Sequence, residues 1–306
     1  MAEKPMKRRY VAGDKVVAVV NPNTRTGSMQ VRAALGQQVP DGVNLVIYET
    51  RRDVSTRALV EEVAKDADGV IACGGDGTVS EVAAGVEEFG IPMGIVPAGS
   101  TNIVAQELSI PTSIQAAVAL AFGPFDIHQL DVGVCNDHYF LHMAGTGIDS
   151  KIFDNADEAL KRRVGWLAYV PPAMRAVFEN SAKFHITIDD EELDVVSPLV
   201  LIANGSAVIS SAFRLDESIR SDDGLLDVMV VTAKRAHELA AVVARAANPI
   251  VALRDSPYVT LRKAKRVTLQ SNTPQPIQLD GDVADSTPAE FSIRPHALSI
   301  SVSGRR

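Results

Sequence analysis

A chain of 306 residues is long for one compact domain and comfortable for two, each large enough to bury its own core. With 46% hydrophobic and 22% charged residues its make-up is that of a folded globular protein, which excludes a disordered or fibrous one. A net charge of −8 argues against general nucleic-acid binding, because phosphate backbones are held by a surplus of Lys and Arg.

Met1 to Asp14 carries Lys4, Lys7, Arg8 and Arg9 with no apolar signal-peptide core, and reads as a mobile tail (residues 1–14). Cys73 and Cys135 are the only cysteines and form no CxxC pair, which points to a reduced, cytoplasmic compartment. Nothing approaches the run of about 18 apolar residues that spans a bilayer, so any membrane contact is expected from the side.

From residue 15 to about 129, short apolar runs alternate with helical patterns, the signature of βαβ units around a parallel sheet. Strands are predicted at Val16–Val20, Val43–Tyr48, Gly69–Ala72 and Met93–Val96. Val79, Val82, Ala83 and Val86 recur at helical spacing, so Thr78–Phe89 is predicted as a helix, and Ala-rich Ser113–Phe122 as another. Gly123-Pro124 marks a break before Ile127–Val134.

Beyond residue 130 the pattern becomes a series of short β-like runs, at Tyr139–Met143, Lys183–Ile188, Leu199–Ala203, Leu225–Val231, Arg266–Leu269 and Leu298–Val302. Their spacing suggests an antiparallel sandwich or barrel. Helical insertions are expected at Asp157–Glu179, broken at Pro171-Pro172, and at Arg235–Ala247. The expected fold is thus an α/β, doubly wound N-terminal domain (15–129) followed by a β-rich sandwich with helical insertions (130–306).

Cys73-Gly74-Gly75-Asp76-Gly77-Thr78 directly follows an apolar strand and opens a helix. Strand, glycine turn and helix together aim backbone N–H groups and the positive helix end at a phosphate. Glycines let the backbone approach a ligand without Cβ obstruction. Asp76 could hold a Mg²⁺ carried by a nucleotide or act as a base. A tight βα turn explains the same residues if they stand alone. They do not: Asn21-Pro22-Asn23-Thr24-Arg25-Thr26-Gly27 and Pro97-Ala98-Gly99-Ser100-Thr101-Asn102 follow two other strands at the same sheet edge, where open α/β sheets bind ligands.

These loops, with Leu130-Asp131-Val132-Gly133, Phe140–Gly147, Asp223-Gly224-Leu225-Leu226-Asp227 and Leu279-Asp280-Gly281-Asp282, resemble the diacylglycerol kinase catalytic domain over nearly the whole chain. That family includes sphingosine kinases and bacterial lipid kinases and is related in fold to NAD kinases. The resemblance implies an ATP-dependent kinase that phosphorylates a hydroxyl of a diacylglycerol-like or sphingoid membrane lipid, working peripherally at a membrane, with the active site in a cleft between the domains. It further implies that the last strand or strands return to the N-terminal domain.

The resemblance places Gly74, Gly75, Asp76, Gly77, Thr78, Val79 and Ser80 around the ATP phosphates, with Asn21, Thr50, Ser100, Thr101 and Asn102 as further nucleotide contacts. It implies a Mg²⁺ site at the Asp223 carboxylate and the main-chain oxygens of Arg220 and Leu225; a hairpin turn accounts equally for Asp223-Gly224. In the bacterial branch the general base would be Asp282, where the family pattern has Glu, one methylene longer; in the sphingosine-kinase branch it would be Asp76. Asp131 resembles a residue coupling nucleotide to metal.

Lys161-Arg162-Arg163 and Arg262–Arg266 could meet anionic headgroups or be solvated faces, and Val164–Phe178, with Trp166 and Tyr169, could line an acyl-chain cleft or simply pack. The alternatives are an NAD kinase-like small-molecule kinase and a catalytically inactive lipid- or nucleotide-binding protein. The Gly99–Asn102 and Asp280–Asp282 motifs, and the lack of an Asn-Glu ribose-binding pair, weigh against the first. The acceptor lipid and the oligomeric state are left open.

Overall fold

The computed structural model of the chain describes residues 7–24, 27–147, 181–206, 215–246 and 252–304. The chain divides into two compact units, one mainly Met1–Val132 with Pro295–Arg306, the other mainly Gly133–Val208 with Ala212–Arg294.

In the first unit the strands β1 (Lys15–Val20), β2 (Asn44–Glu49), β3 (Gly69–Gly74) and β4 (Pro92–Pro97) lie in the order β2-β1-β3-β4, all parallel. β3 and β4 are buried along their whole length, which is why both read as unbroken apolar runs rather than alternating ones. The crossovers are α1 (Ser28–Gln38), α2 (Thr56–Val63) and α3 (Asp76–Val86), followed by short α4 (Ile103–Glu107) and α5 (Ile114–Phe122). α1 packs beside α5 and α2 beside α3. Small residues set these spacings: a Cβ on Gly85 would lie 2.6 Å from the Cβ of Val60 on α2, and one on Gly94 2.7 Å from that of Ala121 on α5.

The part of the N-terminal tail within the described residues packs onto the first unit. Arg8 and Phe125 exchange backbone hydrogen bonds of 2.8 Å, and Tyr10 is buried with its ring 5.6 Å from that of Phe125. The aromatic ring, lying where Gly69 leaves room, anchors a segment whose flanking charges suggested a solvated tail.

In the second unit β7 (Met143–Thr146), β10 (Leu199–Ala203), β11 (Leu226–Val231), β12 (Val259–Ala264), β14 (Pro276–Leu279) and β15 (Asp282–Ser286) form a six-stranded antiparallel sheet in the order β12-β11-β10-β7-β14-β15. Facing it are β8 (Ala182–Ile188), β9 (Glu191–Ser197), β13 (Arg266–Ser271) and the start of β16 (Ala289–Val302). Their inner residues Ile186, Leu269 and Phe291 share one buried core with Ile202, Leu226 and Ile277 of the first sheet, so the unit is a β-sandwich. The opposite face of the six-stranded sheet buries Leu201 and Met229 with Leu239 and Val242 of α6 (Ala236–Ala246).

The α/β-plus-sandwich architecture is the one expected from the sequence. β5 (Asp126–Cys135) and β16 continue from one unit into the other, and the far end of β16 adds to the parallel sheet beside β4 through Ser299↔Pro92. β6 (His138–Phe140) folds back on β5. Asp157–Glu179, with Lys161–Arg163, Trp166 and Tyr169, lies outside the described residues. Among the described residues no helix is long and apolar enough to cross a membrane.

Candidate active site

The three loops at the carboxyl ends of β1, β3 and β4 meet at one cavity of about 360 Å³, lined among the described residues by Asn21, Asn23, Thr24, Gly75, Gly77, Thr78, Gly99 and Ser100. Three of these are glycines, which offer only backbone. Gly75 caps α3 with no side-chain hydrogen bond, so the first turn of this 11-residue helix presents its N–H groups and the positive end of its dipole without a capping side chain over them. Thr24 adds a buried hydroxyl with no partner among the described residues.

Steric limits fix the glycines. A Cβ on Gly74 would lie 2.5 Å from the Cβ of Thr78, and one on Gly99 only 2.4 Å from the Cα of Gly75. The two glycine loops therefore touch main chain to main chain, with Ala98 N–H donating to the Gly74 carbonyl at 2.9 Å.

Side chains then lock these loops. Asn21 donates from Nδ2 to Thr78 Oγ1 at 3.0 Å and accepts from the Asn23 N–H at 2.9 Å, tying the first loop to α3. Asn102, in the left-handed region at φ 50, exchanges two 2.9 Å bonds with the backbone of Gly99. Asp76 Oδ1 accepts from the N–H of Ile103 at 2.7 Å and more weakly from that of Val104 at 3.4 Å, so its carboxylate caps α4.

Of the other expected nucleotide contacts, Thr50 sits at the end of β2 with its N–H bonded to the Val20 carbonyl, beside the Asn21 loop. Ser80 is half-buried and Thr101 exposed, with its carbonyl accepting from Gln106 at 2.5 Å. Val79 is buried in the core. Gly99, Asn23 and Thr24 line the cavity although the motif reading did not single them out as contacts; the sequence signal for Gly99 was a glycine in a loop that another backbone must approach.

In the second unit, Asp280 and Gly281 both have positive φ, at 51 and 104, and form the two-residue turn between β14 and β15, with Leu279 opposite Asp282. Asp280 holds this turn in place. Its carboxylate accepts from the N–H groups of Leu141, His142 and Met143 at 2.8–2.9 Å, and its own N–H donates to the Met143 carbonyl. The carbonyl of His142 receives the N–H groups of Asn204 and Gly205, and that of Leu141 the Asn204 side chain, so the segment is gripped from both sides. Asp282 is thereby presented, exposed, at the start of β15. Asp131 is fully buried and accepts from the His296 N–H at 2.7 Å.

Around the expected Mg²⁺ loop, Asp223 accepts from the Leu225 N–H at 3.1 Å, and Arg220 pairs with Asp222. Lys263 donates to Asp223 at 2.7 Å and to Asp227 at 3.0 Å. Burial pushes the Asp227 carboxyl up to about 6, with Lys263 pulling the other way. Burial also works against the charge on Lys263, but its bonds to the two carboxylates outweigh this and hold its pKa above the ordinary value.

Two family models cover the chain: the diacylglycerol kinase catalytic domain matches residues 15–135, and the YegS C-terminal NAD kinase beta sandwich-like domain matches residues 142–302. A protein of Pseudomonas aeruginosa described as a probable lipid kinase YegS-like is 29% identical over 94% of both chains. One of the same description from Pectobacterium atrosepticum is 31% identical over 68% of this chain and 71% of its own. A crystal structure of a diacylglycerol kinase from Bacillus anthracis superposes with a TM-score of 0.72 at 22% identity, over 95% of this chain and 97% of that one, a likeness of fold. The chain belongs to the YegS-like branch of the diacylglycerol kinase catalytic-domain family, a family of lipid kinases.

Proposed function

We propose that the protein is an ATP-dependent kinase that transfers the terminal phosphoryl group of ATP to a hydroxyl of a diacylglycerol-like or sphingoid lipid at a membrane surface. The observation that carries this reading is the glycine cradle: the α3 N-terminus, capped by Gly75 without a side-chain hydrogen bond, and the second glycine loop that touches it line one cavity of about 360 Å³. Phosphoryl transfer depends on positioning and charge stabilisation more than on covalent chemistry, and aimed N–H groups supply both. Mg²⁺ would come with the nucleotide and neutralise the β- and γ-phosphate oxygens.

Asp282 is the preferred base. It is exposed on a turn of fixed geometry, whereas an oxygen of Asp76 is occupied in capping α4. On this reading Asp282 takes the proton as the lipid hydroxyl attacks, and Asp76 shapes the nucleotide loops. Incubating the protein with labelled ATP, Mg²⁺ and a total membrane lipid extract, with NAD as a parallel acceptor, tests the proposal. Label in a lipid band supports it. Label in NAD alone establishes the small-molecule alternative, and label in neither acceptor makes the protein a non-catalytic binder.

A further inference from the structure

The family resemblance calls for a Mg²⁺ at the Asp223 carboxylate and the carbonyls of Arg220 and Leu225, and the residues around Asp223 do not fit that ion. One oxygen of Asp223 accepts the Leu225 N–H, and the other already faces a cation, the Lys263 ammonium at 2.7 Å. The same ammonium lies 3.0 Å from Asp227, which is 1% exposed.

We propose that the Lys263 ammonium, in place of a divalent metal, is the resident cation of the Asp223–Leu225 loop. Its position is imposed by the sheet, because Asp227 on β11 and Lys263 on β12 are directly opposite in register. That register brings the ammonium to a buried carboxylate that needs a counter-charge wherever the loop lies. Asp223 then closes onto the same ammonium and joins the loop to the sheet. A Mg²⁺ on the Lys263-facing oxygen of Asp223 would sit beside a fixed positive charge, and the loop would have to release Lys263 to accept it. The loop is therefore built without metal; on the proposed function, the Mg²⁺ of the reaction would be the ion carried by the nucleotide.

The test uses the full chain stripped of metal, with no nucleotide or lipid, so it is independent of turnover and of the proposed activity. Thermal unfolding is compared in EDTA and in excess Mg²⁺, and Mn²⁺ binding is titrated directly, for the wild type, Asp223→Asn, Lys263→Met and Lys263→Met/Asp227→Asn. The proposal expects the wild-type Tm to change by less than about 1 °C on adding Mg²⁺. It also expects no Mn²⁺ binding that Asp223→Asn abolishes. Lys263→Met should lower Tm in EDTA, and the double variant should regain part of the loss by removing the stranded carboxylate. A wild-type Tm that Mg²⁺ raises by several degrees, with the rise lost in Asp223→Asn, would overturn the proposal. So would a Lys263→Met protein as stable as the wild type. Should Lys263→Met fail to fold, the wild-type and Asp223→Asn arms still decide the question.

Discussion

The loops of the first unit and the turns of the second are built from different material. Around α3 the cavity is lined by the glycines Gly75, Gly77 and Gly99 among small polar residues, and the side chains of Asn21, Asp76 and Asn102 hold the loops in place. In the second unit the backbone is the scaffold, and carboxylates are the working groups: Asp280 grips a neighbouring segment, Asp223 and Asp227 share Lys263, and Asp282 is held out to solvent. A nucleotide triphosphate is a constant ligand that N–H groups recognise through its charge. A hydroxyl acceptor gives up a proton as it attacks, and a carboxylate side chain is suited to take it.

The largest effect is expected at Asp280. Asp280→Ala removes the acceptor for three N–H groups, two of them on the buried residues Leu141 and His142, and is expected to lower stability by about 3 kcal/mol or more in denaturant unfolding. Nucleotide affinity measured on the protein that remains folded should be unchanged; a loss there would mean the two regions are not separable. Next in size is Gly99→Ala. The new Cβ meets the Gly75 backbone, and the loops must part at a cost of about 1–3 kcal/mol, seen as about fivefold or greater loss of ATP affinity by calorimetry.

Asp76→Ala should cost about 1 kcal/mol of stability through the lost cap on α4, measurable as a lowered Tm. The smallest effect concerns the edge pair His185–Asp194, whose hydrogen bond holds the imidazole pKa above its ordinary value. The stability it adds is full below the unfolded histidine pKa and is lost as pH rises through the folded value. The Tm gap between wild type and Asp194→Asn should therefore be widest in mildly acidic buffer and close above neutrality, and NMR titration of His185 should show its raised pKa fall in the variant.

The legibility of the chain follows the same division. Buried parallel strands announce themselves as apolar runs, so β1, β3 and β4 stand within a residue or two of where the sequence puts them. The glycine motifs were readable because a missing Cβ is itself a signal of close approach. β9 was not foreseen: it is an edge strand whose exposed Glu191, Glu192 and Asp194 dilute its apolar pattern. Only the end of β16 was legible, since Pro295 and His296, the latter at φ 52, interrupt what is one 14-residue strand. The grip of Asp280 on residues 141–143 joins positions 137 to 139 apart in sequence, and no local pattern encodes such a pairing. The same is true of the contact between Lys263 and Asp223.

The proposed function divides the labour: the glycine cradle would bind ATP and a side-chain base would activate the acceptor. Asp282→Asn tests it most directly, with ATP affinity and lipid phosphorylation measured on the same preparation. The expected result is ATP binding within about twofold of wild type and a phosphorylation rate lowered by about 10²–10⁴. Wild-type turnover in this variant, or a parallel loss of ATP binding, would contradict it.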